Sequence, residues 1–292
     1  MSNEIKRVVV VGAGAMGSGI ALVFARTGLD VTLVDVDESG LNRAIASIAD
    51  QLERSVAKGR IDAAEATATR RRVITSTFLD GAASNADLAL EAIFEDVDAK
   101  SELFRRLDAA LPDHALIATN TSSISVTKLA STVENPARVA GMHFFNPAPV
   151  MPLVEVIRAM QTADDTVERI STLATACGKT PIESSDSPGF VGNRILLPMI
   201  NEAIFTLSEQ VAGRDAIDQV MKLGMGHPMG PLAIADLVGL DVCLSVLDVL
   251  HDQFGDDKYR PAPLLRTMVA AGRLGKKSGR GFYDYSAGDL PK

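Results

Sequence analysis

The stretch from Val8 to Ala21 reads VVVVGAGAMGSGIA, and no other segment restricts the possible folds as tightly. Four β-branched residues stopped by glycine make a short buried strand. AMGSGIALVFARTG continues as a helix that Gly28 closes, and LDVTLVDVD follows as a second strand. Asp35 ends that strand 21 residues after Gly14. A GxGxxG loop between strand and helix, with an acid at the end of the next strand, is the context of a dinucleotide site. Gly12 permits the tight turn, Gly14 lets the backbone approach a pyrophosphate, and Gly17 lets the helix lie close to the sheet. Ala15 and Met16 complete the loop, and the N–H groups of this helix start face the phosphates. Asp35 accepts hydrogen bonds from ribose hydroxyls and repels a 2′-phosphate, which points to NAD over NADP.

A strand–loop–helix–strand start commits the chain to a sheet, and the first half keeps alternating. RVITS, ADLALEAIF, ALIATN, RVAGMHFF and LVEVI read as further short strands. Residues 38–72 read as long polar helical material, and DVDAKSELFRRLDAAL as a helix between strands. Such alternation implies a largely parallel sheet covered on both faces. The pattern changes at SSDSPGF. Beyond it helical periodicity dominates, in FVGNRILLPMINEAIFTLSEQVA, which Pro198 interrupts, and in PLAIADLVGLDVCLSVLDVLHDQF. The expected fold is α/β: a Rossmann-like domain with a mostly parallel sheet over residues 1–185, then an all-helical domain over residues 186–292.

With 47% hydrophobic residues the chain buries a sizeable core. A net charge of −8 argues against nucleic acid as a partner but leaves room for an anionic small ligand in a local basic pocket. Cys177 and Cys243 have neither metal-ligand nor redox spacing, so no metal is expected and a reducing compartment is. No apolar run is long enough for a bilayer. The reading is a soluble cytoplasmic protein.

Only four histidines occur, and one of them, His143, lies in the apolar GMHFFNPAPVMPLVEVI. Glu155 follows in LVEVI, across a turn holding Pro147, Pro149 and Pro152. A buried carboxylate is costly unless paired. Oxidising an alcohol with NAD needs a group that removes the hydroxyl proton near neutral pH, and histidine suits that task. A carboxylate beside it fixes the tautomer and stabilises the imidazolium. The competing readings are a satisfied core histidine and a surface strand acid. Ser122 in TNTSSIS is a helix cap or a site residue, and Asn193 after PGFVG is a cap or turn residue or a site residue. Arg54, Lys58 and Arg60 form either a solvated helix face or a phosphate site.

The segments GAGAMGSGIA, EAIFEDVDAKSELF, TNTSSIS, GMHFFNPAPVMPLVEVI, DSPGFVGNRIL, GHPMGPLAIADLVGLD and GKKSGRGFYDY together resemble the L-3-hydroxyacyl-CoA dehydrogenases, including bacterial 3-hydroxybutyryl-CoA dehydrogenases. The resemblance spans essentially the whole chain. It implies NAD-dependent oxidation of short (3S)-3-hydroxyacyl-CoA esters and the reverse reduction of acetoacetyl-CoA, with the acyl-CoA in a cleft between domains and a homodimer made by the helical domain. By position it implies His143 as catalytic base, Glu155 as its partner, and Ser122 and Asn193 at the reacting end of the substrate. Glu95, Lys100, Asn120, Ser122 and Lys277 match cofactor contacts, while Lys58 and Arg54 fall where relatives meet CoA. Relatives acting on 3-hydroxyadipyl-CoA or on a sugar acid such as gulonate remain alternatives, as does a non-catalytic crystallin-like relative.

Overall fold

Arg7–Val11 forms β1, and the glycine loop carries the chain into α1 (Ala15–Arg26) and back through β2 (Asp30–Val34). The computed structural model describes residues 5–288 and Pro291. After β2 come α2 (Glu38–Ala57), α3 (Ala63–Arg71), β3 (Val73–Ser76), α4 (Leu79–Ala83), β4 (Leu88–Glu91), α5 (Val97–Ala110) and β5 (Leu116–Thr119). Then follow α6 (Val126–Ala130), β6 (Val139–Phe144), β7 (Leu153–Arg158), α7 (Asp164–Ala176) and β8 (Thr180–Ser185). The eight strands make one sheet ordered β3-β2-β1-β4-β5-β6-β7-β8. All pairs are parallel except β6 with β7. The chain order reverses beside β1, between β1 and β4. In an open α/β sheet, that reversal puts ligands outside the carboxyl ends of the strands.

Apolar patterning explains this half. Val8–Val11 are buried, as are Leu88–Glu91 and Leu116–Thr119, so the central strands carry continuous apolar runs. Across them lie Ile20, Leu22 and Phe24 of α1. In α2, Leu41, Ala44, Ile48 and Leu52 form one helical stripe. Each fully buried Val or Leu contributes roughly 1.5–3 kcal/mol. Residues 38–72 are not one continuous helix: the chain breaks after Lys58, with Gly59 in the left-handed region at φ 64°.

The chain divides between Ser187 and Pro188 into two compact units. The second holds α8 (Gly192–Ser208), α9 (Arg214–Gln219), α10 (Pro231–Val238), α11 (Leu240–Phe254) and α12 (Pro263–Ala270). α8 continues through Pro198. Gly239, at φ 105°, splits what the sequence presents as one long helix into α10 and α11. Two buried acids organise this unit. Asp218 accepts the backbone N–H groups of Leu232 and Ala233 at 2.8 and 3.0 Å and the Tyr283 hydroxyl at 2.8 Å. Asp236 accepts the N–H groups of Phe282 and Tyr283, both at 2.9 Å. GRGFYDY is therefore an anchor for the end of the chain.

Close approach dictates the fingerprint glycines. A Cβ on Gly17 would stand 1.7 Å from the Gly12 carbonyl oxygen, whereas one on Gly14 meets nothing within 4 Å. Gly14 also has ordinary backbone angles, φ −68° and ψ −172°. In urea unfolding, Gly17→Ala is expected to cost about 3 kcal/mol or more, the upper end of overpacking. Gly14→Ala is expected to stay within about 0.5 kcal/mol of wild type. Equal losses in the two variants would contradict this packing account.

Candidate active site

The site starts where β1 ends. Gly12 donates its N–H to the Val34 carbonyl at 2.7 Å, and Ala92 donates to the Val11 carbonyl at 2.7 Å, which ties together the ends of β2, β1 and β4. Asp35 accepts the Ala13 N–H at 2.7 Å and the Asp37 N–H at 3.0 Å, so its carboxylate is aimed by backbone donors. No side chain caps α1, whose N-cap residue is Gly14, and Gly14 and Ala15 are exposed while Met16 is half-buried. A cavity of about 450 Å³ lies here, lined among others by Ala13, Gly14, Ser18, Asp35 and Arg43. An uncapped helix start, an open space above Gly14 and an oriented acid fit the pyrophosphate and ribose of NAD.

His143 is the last residue but one of β6, and the antiparallel step to β7 pairs it directly with Glu155. Cross-strand partners project from the same face of a sheet. His143 Nδ1 and Glu155 Oε2 are 2.8 Å apart, with the residues 6% and 2% exposed. A carboxylate can only accept, so Nδ1 donates and the lone pair of a neutral ring sits on Nε2. The Phe145 ring lies 4.8 Å from the imidazole, centroid to centroid. The connecting loop is fastened by Lys179, which donates to the carbonyls of Ala148 and Met151 at 2.7 and 2.8 Å. Pro149 packs over Gly19 of α1, where a Cβ would come within 3.2 Å. The sequence offered no sign of Lys179's part.

Between the glycine loop and His143 lie the ends of β4 and β5. Asn120 donates its N–H to the Glu91 carbonyl at 2.9 Å, and its side-chain oxygen accepts the Phe144 N–H at 2.8 Å. Ser122 follows on a loop whose backbone N–H groups at Ser122 and Ser123 donate to Glu95 at 3.1 Å each. Ser125, not Ser122, caps α6. Burial of Glu95 works to raise its carboxyl. Lys100 and the hydroxyls of Thr121 and Ser123 outweigh that and hold it below the usual carboxylate range. Lys100 itself is buried, against both Glu95 and Glu91. Glu91 was not singled out by the sequence reading. Its signal is the one that marked Glu155: a lone acid inside an apolar strand, here LALEAI.

The remaining residues are dispersed. Arg54 pairs with Asp50 on α2 at 3.2 Å, and Lys58 is the exposed residue at the end of that helix. In the second unit Asn193 is the second residue of α8, and Lys277 donates to Asp241 at 2.7 Å. His114 lies 3.4 Å from Asp87 and is mostly solvated, His227 is in a loop, and His251 is in the last turn of α11. Among the described residues there is no cluster of three or more potential metal ligands, and no helix is long and apolar enough to cross a membrane.

Comparison with known proteins follows these features closely. Residues 7–187 match the NAD binding domain of 3-hydroxyacyl-CoA dehydrogenase, and residues 189–285 match its C-terminal domain. The chain is 52% identical over 282 residues to a probable 3-hydroxybutyryl-CoA dehydrogenase of Bacillus subtilis, covering 97% of this chain and 98% of the other. A 3-hydroxybutyryl-CoA dehydrogenase of Bradyrhizobium diazoefficiens is 48% identical over 285 residues, covering 98% and 97%. The crystal structure of (S)-3-hydroxybutyryl-CoA dehydrogenase from Ralstonia eutropha superposes with a TM-score of 0.93 at 47% identity, covering 97% of this chain and 99% of that one.

Proposed function

The chain belongs to the 3-hydroxyacyl-CoA dehydrogenase family, and from that premise we infer its reaction. It is an NAD-dependent dehydrogenase that oxidises (3S)-3-hydroxyacyl-CoA to 3-oxoacyl-CoA and runs the reverse reduction, with 3-hydroxybutyryl-CoA and acetoacetyl-CoA as the short-chain pair. The observation that carries the reading is the buried His143–Glu155 pair at the carboxyl end of β6. That is the edge of the sheet on which the glycine loop also opens.

NAD held at this site would supply the hydride acceptor for C3 of the hydroxyacyl group. The chain supplies the rest. His143 takes the 3-hydroxyl proton at Nε2 while Nδ1–H stays on Glu155. The carboxylate favours the imidazolium as it forms, and burial strengthens that attraction. In the reduction His143 gives the proton back. Ser122 orients the substrate oxygen, and Asn193 contributes to binding the reacting end. The loop from Gly12 to Gly17, with Asp35, holds the cofactor, and Asn120, Glu95, Lys100 and Lys277 serve the cofactor site. Lys58 and Arg54 meet CoA phosphates as exposed cations.

We also propose that residues 1–185 act as the cofactor domain, with residues 186–292 for substrate and assembly, in a cytoplasmic homodimer. The two cysteines are unpaired, which suits a reducing compartment. Ile195, Val220, Leu223, Met225, Leu237 and Val242 are exposed in the helical unit and give it the apolar surface of an obligate interface. Sedimentation at micromolar concentration is expected to read a homodimer; a monomer would contradict the assembly.

The reaction is tested by NADH consumption with acetoacetyl-CoA. Turnover is expected, with NADPH the poorer donor because Asp35 repels the 2′-phosphate. His143→Ala is expected to lower turnover by about 10²–10⁴-fold while NADH binding is retained. No turnover by wild type, or equal efficiency with NADPH, would overturn the reading.

A further inference from the structure

The cavity above the glycine loop already contains a cation. Arg43 of α2 is among its lining residues, with Asp35, Asp37 and Gly40. An arginine near the ribose suits a 2′-phosphate, because its fork of donors matches the anion. The unit nevertheless belongs to an NAD binding family. The two facts agree because Arg43 is already engaged.

Arg43 Nη2 lies 3.1 Å from Asp37 Oδ2, and Nη1 donates to the Ser39 hydroxyl at 2.8 Å. The Ser39 hydroxyl in turn lies 2.7 and 2.9 Å from the two carboxylate oxygens of Asp37, and the Ser39 N–H donates to Oδ1 at 2.9 Å. Gly40 leaves room for the pair: a Cβ there would stand 3.2 Å from Asp37 Oδ2 and 3.5 Å from Arg43 Nη2. Asp37 also donates its N–H to Asp35 Oδ1 at 3.0 Å, which sets the pair beside the ribose acid. The Ser39 hydroxyl, and with it Arg43, holds the Asp37 carboxyl below the usual carboxylate range, so it is charged at neutral pH. Among the charged residues lining the cavity, two acids therefore face one cation.

The Arg43–Asp37 pair is exposed, with side chains 71% and 52% accessible, and such a bond is weak. A phosphate can compete for Arg43, but the move would leave Asp37 beside that phosphate without its counter-charge. Asp37 thus opposes a 2′-phosphate twice, by occupying the donors and by its own charge.

We propose that Arg43 is a latent 2′-phosphate ligand, and that Asp37, by holding it, is a second determinant of cofactor choice beside Asp35. The inference deepens the NAD reading above and rests on it. Preference for NAD then comes from a cation tied off inside the site as well as from the acid that meets the ribose.

The purified full chain is titrated with NADH and with NADPH, each followed by its own fluorescence, which reads cofactor choice without turnover. Asp37→Ser shortens the side chain and keeps a good cap for α2. It is expected to tighten NADPH by about fivefold, while the NADH Kd changes by no more than about twofold. Added salt is expected to weaken the gain. Arg43→Ala in that background is expected to remove it, whereas Arg43→Ala alone is expected to leave NADPH no better bound than in wild type. If Asp37→Ser does not fold, Asp37→Asn takes its place, because it keeps the shape and the cap and removes the charge. An unchanged NADPH Kd in the acid variant would overturn the proposal. So would a gain that survives Arg43→Ala in full, since Asp37 would then act by its charge alone. A wild type that binds neither cofactor would overturn the NAD site, and the inference with it. A wild type that binds NADH but does not reduce acetoacetyl-CoA would overturn only the reaction, and the Kd values would still decide the inference.

Discussion

The hydrogen bond between His143 and Glu155 is the constraint around which the first unit is arranged. Glu155 is buried and would be costly as an isolated anion, and His143 is buried beside it. The pair meets because β7 runs against β6, so that the two residues face each other in register. This is the single antiparallel step among the strand pairs of the described sheet. A parallel neighbour would have needed a long crossover, and the eight-residue turn from 145 to 152 would not have sufficed. Lys179 and the Pro149–Gly19 contact then hold the turn against the body of the unit.

A buried acid is not by itself a mark of chemistry. Asp218 and Asp236 are as buried as Glu155, yet they accept backbone N–H groups and tyrosine hydroxyls and act as fasteners. Burial raises the Asp236 carboxyl from its ordinary range, a strain of the fold with no catalytic counterpart. Glu91, wholly buried, is an intermediate case: its partner is the Lys100 ammonium, shared with the exposed Glu95, and the contact fixes geometry. Glu155 faces a buried imidazole whose far nitrogen can take up a proton, and that is the difference that makes a buried carboxylate part of a reaction.

Local chemistry was legible in the sequence, and pairing over distance was not. The glycine loop, Gly28 and Asp35 were readable because each answers a local rule of turn or spacing. His143 and Glu155 were readable as polar residues set in apolar strands. The resemblance marks Lys100 as a cofactor contact, but FEDVDAK gives no hint of Glu91 beneath it or of Thr119, 28 residues beyond Glu91. The helix breaks at Gly59 and Gly239 were hidden because each glycine, at positive φ, sits inside a stretch of otherwise helical composition. β8 escaped because its mostly exposed residues and Pro181 do not carry a strand pattern.

The most direct test of the dyad is a double-mutant cycle on kcat/KM for oxidation of 3-hydroxybutyryl-CoA, comparing wild type, Glu155→Gln, His143→Ala and the double variant. If the two residues act as one unit, the double variant is much less impaired than the product of the two single losses, and that is the expected result. Strictly multiplicative losses would show that Glu155 only fills the strand and that His143 works alone.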